Sequence, residues 1–232
     1  MVRGLTVTHE AGNGMSGKIE AARRQMIEQQ VRTWEVLDPR VLETLAAVPR
    51  EHFVPEAYRG VAFADTAIPI GHGEFMLTPK VEGRILQALG PERGERVLEI
   101  GTGTGFFAAC LEYLCGDVES IEIHADLADG ATHALERLGV TRVRVACADA
   151  MDRGFDPQYQ AIAITGSLPV YDPRFERALA VGGRLFVVVG SPPVMEARLV
   201  TRTAVDAWLS EVLFETCIEP LRNATPATRF RF

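Results

Sequence analysis

The stretch Val97-Leu98-Glu99-Ile100-Gly101-Thr102-Gly103-Thr104-Gly105 decides the fold. Residues 96–100 form a short apolar run of strand type, and a helical pattern follows over about 106–114. The glycines between them permit positive φ and let a ligand approach bare backbone. The helix behind the turn offers unpaired N–H groups and the positive end of its dipole.

Toward the C-terminus the strand–helix rhythm repeats. Residues 118–123, 143–146, 161–164 and 184–189 read as strands, with a helix over about 126–138. Such alternation specifies a parallel sheet with helices on both faces, wound by right-handed crossovers. Residues 197–203 and 207–218 show period-two stretches and are expected as antiparallel strands on the sheet edge. The fold class is therefore α/β and Rossmann-like, mostly parallel with an antiparallel edge. Toward the N-terminus, residues 19–36 carry helical periodicity, and Asp38-Pro39 restarts a helix with Asp38 as N-cap. Residues 53–79 are rich in Pro, Gly and Ala and read as loops with short extended pieces, after which Thr78-Pro79 opens another helix. Three segments are expected: a disordered extension over 1–16, a helical and loop segment on the substrate side over 17–93, and the ligand-binding domain over 94–232.

Composition narrows the function classes. The 232 residues are 47% hydrophobic and 24% charged, ordinary values for one globular domain with an extension. A net charge of −7 is repelled by phosphate backbones, so no nucleic-acid partner is expected. No apolar run reaches the roughly 18 residues that span a bilayer. A cytoplasmic, soluble monomer without a membrane partner is expected. Cys110, Cys115, Cys147 and Cys217 form no CxxC pair and are expected as buried thiols in a reducing compartment, with no metal site.

Three carboxylates accompany the glycine turn in order: Glu99 inside the first strand, Glu122 near the end of the second and 21 residues after Gly101, and Asp149 after the third. Strand C-terminal edges of open α/β sheets bind ligands. A dinucleotide fingerprint, GxGxxG, would need glycine where this chain has Phe106. The GxGxG spacing behind an acidic residue instead resembles the first motif of S-adenosylmethionine-dependent methyltransferases. The resemblance implies that Gly101, Thr102, Gly103, Thr104 and Gly105 face that cofactor and that Glu99 serves its ammonium end. Glu122, with Ile123 beside it, would accept the ribose hydroxyl protons, and Asp149 with Ala150 would meet the adenine amino group.

The similarity extends further. Residues 26–32, 38–42, 48–55, 67–73, 97–105 and 182–190, within a span of about 23–190, resemble the protein-L-isoaspartate O-methyltransferase family. That resemblance implies S-adenosylmethionine-dependent esterification of the free α-carboxylate of L-isoaspartyl residues in damaged proteins. The ester then closes to a succinimide and partly reopens as normal aspartate. Such a carboxylate is ionised at pH 7, so no general base is needed; in-line positioning and desolvation suffice. Ile70, Gly71, His72 and Gly73 would face the substrate peptide, with His72 able to bind a carboxylate when protonated.

The chain also departs from the family. The usual Thr-Ile-Ser-x-Pro string, aligned on Pro79, places Leu77 at the serine position and a hydroxyl one residue later, at Thr78. A one-residue shift reverses side-chain direction in an extended segment, which leaves Thr78 open between a catalytic hydroxyl and a helix N-cap. Gln160 stands where the family carries aspartate, Thr165 begins a stretch that replaces alanines bordering the substrate, and the tail continues through residues 229–232. These features fit a divergent bacterial branch. They keep open a methyltransferase with another acceptor, or a cofactor-binding homologue without turnover.

Overall fold

The computed structural model describes residues 10–227. Helix α1 (Glu10–Met26) runs on through one π turn (Ile27–Val31) and one 3-10 turn (Arg32–Trp34). The helical pattern over 19–36 is thus right in kind, with a change of pitch that buries Ile27 and Val31. Of the expected extension, residues 1–9 lie outside the described residues, as does the tail 229–232, while residues 10–16 belong to α1. Helix α2 (Pro39–Ala47) begins as its sequence dictates: the Arg40 N–H donates to Asp38 Oδ1 at 2.8 Å, and Pro39 fills the first turn. The loop region carries a small antiparallel hairpin, β1 (Ile68–Gly71) and β2 (Glu74–Met76), which leads into α3 (Pro79–Leu89).

The main sheet contains β3 (Val97–Ile100), β4 (Val118–Glu122), β5 (Val143–Cys147), β6 (Tyr159–Leu168), β7 (Leu179–Ser191), β8 (Val194–Ala204) and β9 (Ala207–Glu215). Its seven strands lie in the order β5-β4-β3-β6-β7-β8-β9. Pairs from β5 to β7 are parallel, and the last two pairings are antiparallel. The parallel sheet with an antiparallel edge is as expected. Helices α4 (Phe106–Cys115), α5 (Ala125–Arg137) and α6 (Pro173–Arg177) connect the strands. Chain order reverses across β3 and β6, which opens a crevice at the C-terminal ends of the central strands.

Alternation along the strands divides the core. Val97, Ala161 and Phe186 pack with side chains from α1 to α5, whereas Leu98, Ile100, Ile162, Leu185 and Phe175 of α6 form the opposite cluster. Each fully buried aliphatic or aromatic side chain contributes roughly 1.5–3 kcal/mol.

Two expectations need correction here. Strand β9 ends at Glu215, so residues 216–218 are not strand. The Ser167 N–H donates to the Glu219 carbonyl and the Leu221 N–H to the Ser167 carbonyl, which draws the tail across the end of β6 instead. Cys110 and Cys115 are buried as expected, but Cys147 and Cys217 are exposed. Among the described residues no helix is long and apolar enough to cross a membrane.

Candidate functional site

A cavity of about 350 Å³ lies at the C-terminal ends of the central strands. The glycine turn forms its floor. Gly101, Gly103 and Gly105 all have positive φ, +98°, +53° and +85°, and Gly101 and Gly103 line the cavity. Four amides of the turn are engaged within the fold. The Gly101 and Thr102 N–H groups donate to the Ile121 carbonyl, and the Gly105 N–H to the Thr102 carbonyl. The Gly103 N–H donates to Glu122 Oε2 at 2.8 Å. With these amides engaged internally, the turn offers a ligand bare glycine surface rather than a phosphate cradle.

Glu122, Ile123, Asp149 and Ala150 line the same cavity. Glu122 is oriented at both oxygens, since Oε1 also accepts the His124 N–H at 3.0 Å. Asp149 Oδ1 accepts the Met151 N–H at 2.7 Å, and its Oδ2 accepts Asn223 Nδ2 at 2.6 Å. Each carboxylate oxygen retains lone-pair capacity for a ligand hydroxyl or amino group.

Glu99 is elsewhere. It lies on the strand face covered by α3 and α4, is 0% exposed and does not line the cavity. Ser120 Oγ donates to Glu99 Oε2 at 2.5 Å, and Thr102 Oγ1 lies 2.5 Å from Ser120 Oγ. Burial pushes the Glu99 carboxyl up to about 8, so it is largely neutral at pH 7. Its position supports the turn from beneath through Ser120 and Thr102, not as a counter-ion at the surface. The Thr102 hydroxyl likewise faces inward. Thr104 borders a narrow side cleft of about 40 Å³. Gly105 is the N-cap of α4, packed against Ala131, and lines neither space.

On the hairpin side the expected residues separate. Ile70 lines the cavity, whereas Gly71, His72 and Gly73 lie outside it at the hairpin tip. His72 is already engaged: Nε2 lies 2.9 Å from both Asp126 oxygens, and its ring stacks on His124 with centroids 4.0 Å apart. The hydrogen bond to His72 holds the Asp126 carboxyl below its ordinary range. Thr165 lines the cavity, and its hydroxyl donates to the carbonyls of Ile100 at 3.0 Å and Gly101 at 2.8 Å.

Leu77 and Thr78 both line the cavity. Thr78 occupies the N-cap position of α3, yet its side chain makes no capping bond. Its Oγ1 is buried with no hydrogen-bond partner. An unsatisfied buried hydroxyl is unfavourable unless a ligand completes it. Gln160 has no part in the site: its Oε1 accepts the Arg96 N–H at 2.8 Å at the start of β6.

Sequence reasoning missed one wall. Residues 216–222 of the tail line the cavity, together with Glu74 and His124. Arg222 ties this wall to the hairpin, donating to Glu74 Oε1 at 2.7 Å and to the His72 carbonyl. No periodicity in the sequence reports a contact 148 residues away.

A sequence profile of the family "Protein-L-isoaspartate(D-aspartate) O-methyltransferase (PCMT)" matches residues 21–217. A relative from Rhodopseudomonas palustris named protein-L-isoaspartate O-methyltransferase 1 is 40% identical, covering 87% of this chain and 83% of its own. A protein-L-isoaspartate O-methyltransferase from Magnetococcus marinus is 37% identical over 85% of this chain and 86% of its own. A Plasmodium falciparum structure, described as a protein of that activity in complex with S-adenosyl-L-homocysteine, superimposes with a TM-score of 0.72. It covers 88% of this chain and 97% of its own at 17% identity, a likeness of fold. The chain belongs to the protein-L-isoaspartate(D-aspartate) O-methyltransferase family.

Proposed function

We propose that this chain is an S-adenosylmethionine-dependent carboxyl methyltransferase acting on L-isoaspartyl residues of damaged proteins. It works as a cytoplasmic monomer, without nucleic-acid or membrane partners. The observation that carries the reading is the cavity at the C-terminal ends of the central strands, lined together by Gly101, Glu122 and Asp149 and by Leu77 and Thr78. The cavity also fits the cofactor chemically: Glu122, Asp149 and Glu219 line it, and with Glu74 paired to Arg222 they leave an acidic balance that suits a ligand bearing ammonium and sulfonium charges. When bound, S-adenosylmethionine supplies an electrophilic methyl group. Glu122 accepts its ribose hydroxyl protons, and Asp149 accepts from its adenine amino group. The Thr78 hydroxyl donates to the acceptor carboxylate, which arrives ionised and requires no base. Leu77 and Ile70 supply an apolar wall that excludes water from a weak nucleophile.

The test incubates the full chain with radiolabelled S-adenosylmethionine and matched isoaspartyl and aspartyl peptides. Base-labile label in the isoaspartyl peptide alone is expected. Cofactor binding by calorimetry without any such label would refute the acceptor assignment. Leu77 at the family's serine position supports a second reading, a carboxylate acceptor other than isoaspartate; label passing to such a compound alone would establish it.

A further inference from the structure

Residues 48–55 are among the stretches similar to the family, yet none of their side chains reaches the cavity. Arg50, at the centre, is 1% exposed. We propose that Arg50 is a positioning residue for the acceptor side of the cavity, orienting Thr78 through the Leu77 carbonyl. The inference rests on the role given to Thr78 above.

The guanidinium holds three points at once. Nε donates to the Ala62 carbonyl at 2.9 Å, Nη2 donates to the Leu77 carbonyl at 2.7 Å, and Nη1 pairs with Glu82 of α3. The charge lies over the Phe106 ring, 4.8 Å from its centroid, where the glycine turn becomes α4. Glu82 stands in the first turn of α3, where its backbone N–H makes the ordinary opening helical bond to the Thr78 carbonyl at 3.1 Å. The buried ion pair therefore ties the Leu77 carbonyl, just before Thr78, to the first turn of α3 just after it. The Leu77 carbonyl shares a rigid peptide plane with the Thr78 nitrogen. Fixing that plane places the Thr78 Cα and the direction of its Cα–Cβ bond, and with them which χ1 rotamers bring Oγ1 toward the cavity or toward the amides of α3. No cap bond holds the hydroxyl.

Burying a charged pair is weak evidence for stability, since an apolar pair of the same volume often serves as well. A planar fork that must reach several acceptors is a better reason for arginine here, and one lysine cannot reproduce it.

The test uses the full chain carrying Arg50→Lys, Glu82→Gln, Thr78→Ala, and the double variant Arg50→Lys/Thr78→Ala. With an isoaspartyl peptide, Arg50→Lys is expected to lower kcat about tenfold, the scale of a sub-ångström misplacement. The Kd for S-adenosylhomocysteine should stay within about twofold, because no cofactor contact is touched. The double variant should be no slower than Thr78→Ala alone. Glu82→Gln, which keeps the side-chain shape, covers the case in which Arg50→Lys does not fold, and a smaller kcat loss of the same kind is expected. Unchanged kcat, a parallel loss of cofactor affinity, or fully multiplicative effects in the double variant would overturn the proposal. A crystal structure of either folded variant supplies a readout independent of turnover. The Leu77–Thr78 peptide is expected to shift and Thr78 Oγ1 to cap α3, and an unmoved peptide and hydroxyl would refute the proposal even if the true acceptor proves different.

Discussion

Gly101→Ala tests the floor of the cavity through one atom. Gly101 has φ +98°, where a side chain costs about 1–2 kcal/mol. A Cβ there would also stand closer than 3.0 Å to Thr165 Oγ1, a separation real Cβ atoms do not show. The hydroxyl would have to leave the Ile100 and Gly101 carbonyls, which share its single proton, at a net cost of about 1 kcal/mol. The sum is about 2–3 kcal/mol, measurable against the ~5–15 kcal/mol typical of folded domains. Urea unfolding followed by tryptophan fluorescence reads it, and calorimetry should show weakened S-adenosylhomocysteine binding. Thr165→Ala removes the obstructing oxygen and leaves a Cβ 3.7 Å from the new one, an ordinary contact. The double variant should therefore lose about 1 kcal/mol less than the sum of the singles. Strict additivity, or a Gly101→Ala cost below about 0.5 kcal/mol with unchanged binding, would refute the reasoning.

Three further outcomes are expected. Glu122→Ala should raise the Kd for S-adenosylhomocysteine at least about 30-fold, or ~2 kcal/mol, because the proposed ribose contacts would vanish and the Gly103 and His124 amides would lose their acceptor; calorimetry within threefold of wild type would contradict it. The Glu99 carboxyl sits near 8 when folded, above its ordinary 4.5, so its stabilising contribution is present below about 4.5 and lost as pH rises through about 8. Glu99→Gln should flatten the decline in urea midpoint between pH 5.5 and 8.5, leaving the smaller decline due to Glu82, whose burial pushes it up to about 7; identical slopes would disprove the assignment. Cys217 is exposed and lines the cavity, while Cys147 is exposed outside it. Saturating S-adenosylhomocysteine should slow iodoacetamide labelling of Cys217 severalfold and leave Cys147 unaffected, as followed by peptide mass spectrometry.

That Gly101, Glu122 and Asp149 line one cavity was legible because each stands at or just after a strand end. Parallel strands each deliver one loop to the same sheet edge, so Gly101, Glu122 and Asp149 meet in space in the order in which they occur in the chain. Glu99 shows the limit of that logic. One residue before the strand end, alternation turned it into the core, and only the packing of α3 and α4 reveals that the carboxyl is enclosed. His72 fails for a related reason: its partner Asp126 lies 54 residues away, and neither residue announces the other. The tail wall escaped because period-two alternation over 207–218 describes a strand equally well whether or not the last residues leave the sheet.

Thr78 brings these limits together. As N-cap it is the last extended residue before α3, with φ −72° and ψ 150°. From that position a threonine can cap its own helix or present its hydroxyl elsewhere, and local propensity favours the cap. On the role proposed for Arg50, a group remote in sequence biases that choice through the preceding carbonyl. A hydroxyl moved by one residue from the family's usual position is therefore compatible with retained chemistry, provided that the surrounding carbonyls hold the backbone so that the moved oxygen still lines the cavity. The substitution at Leu77 is then better judged by the orientation of Thr78 than by the missing serine, and Thr78→Ser should retain turnover where Leu77→Ser alone adds none.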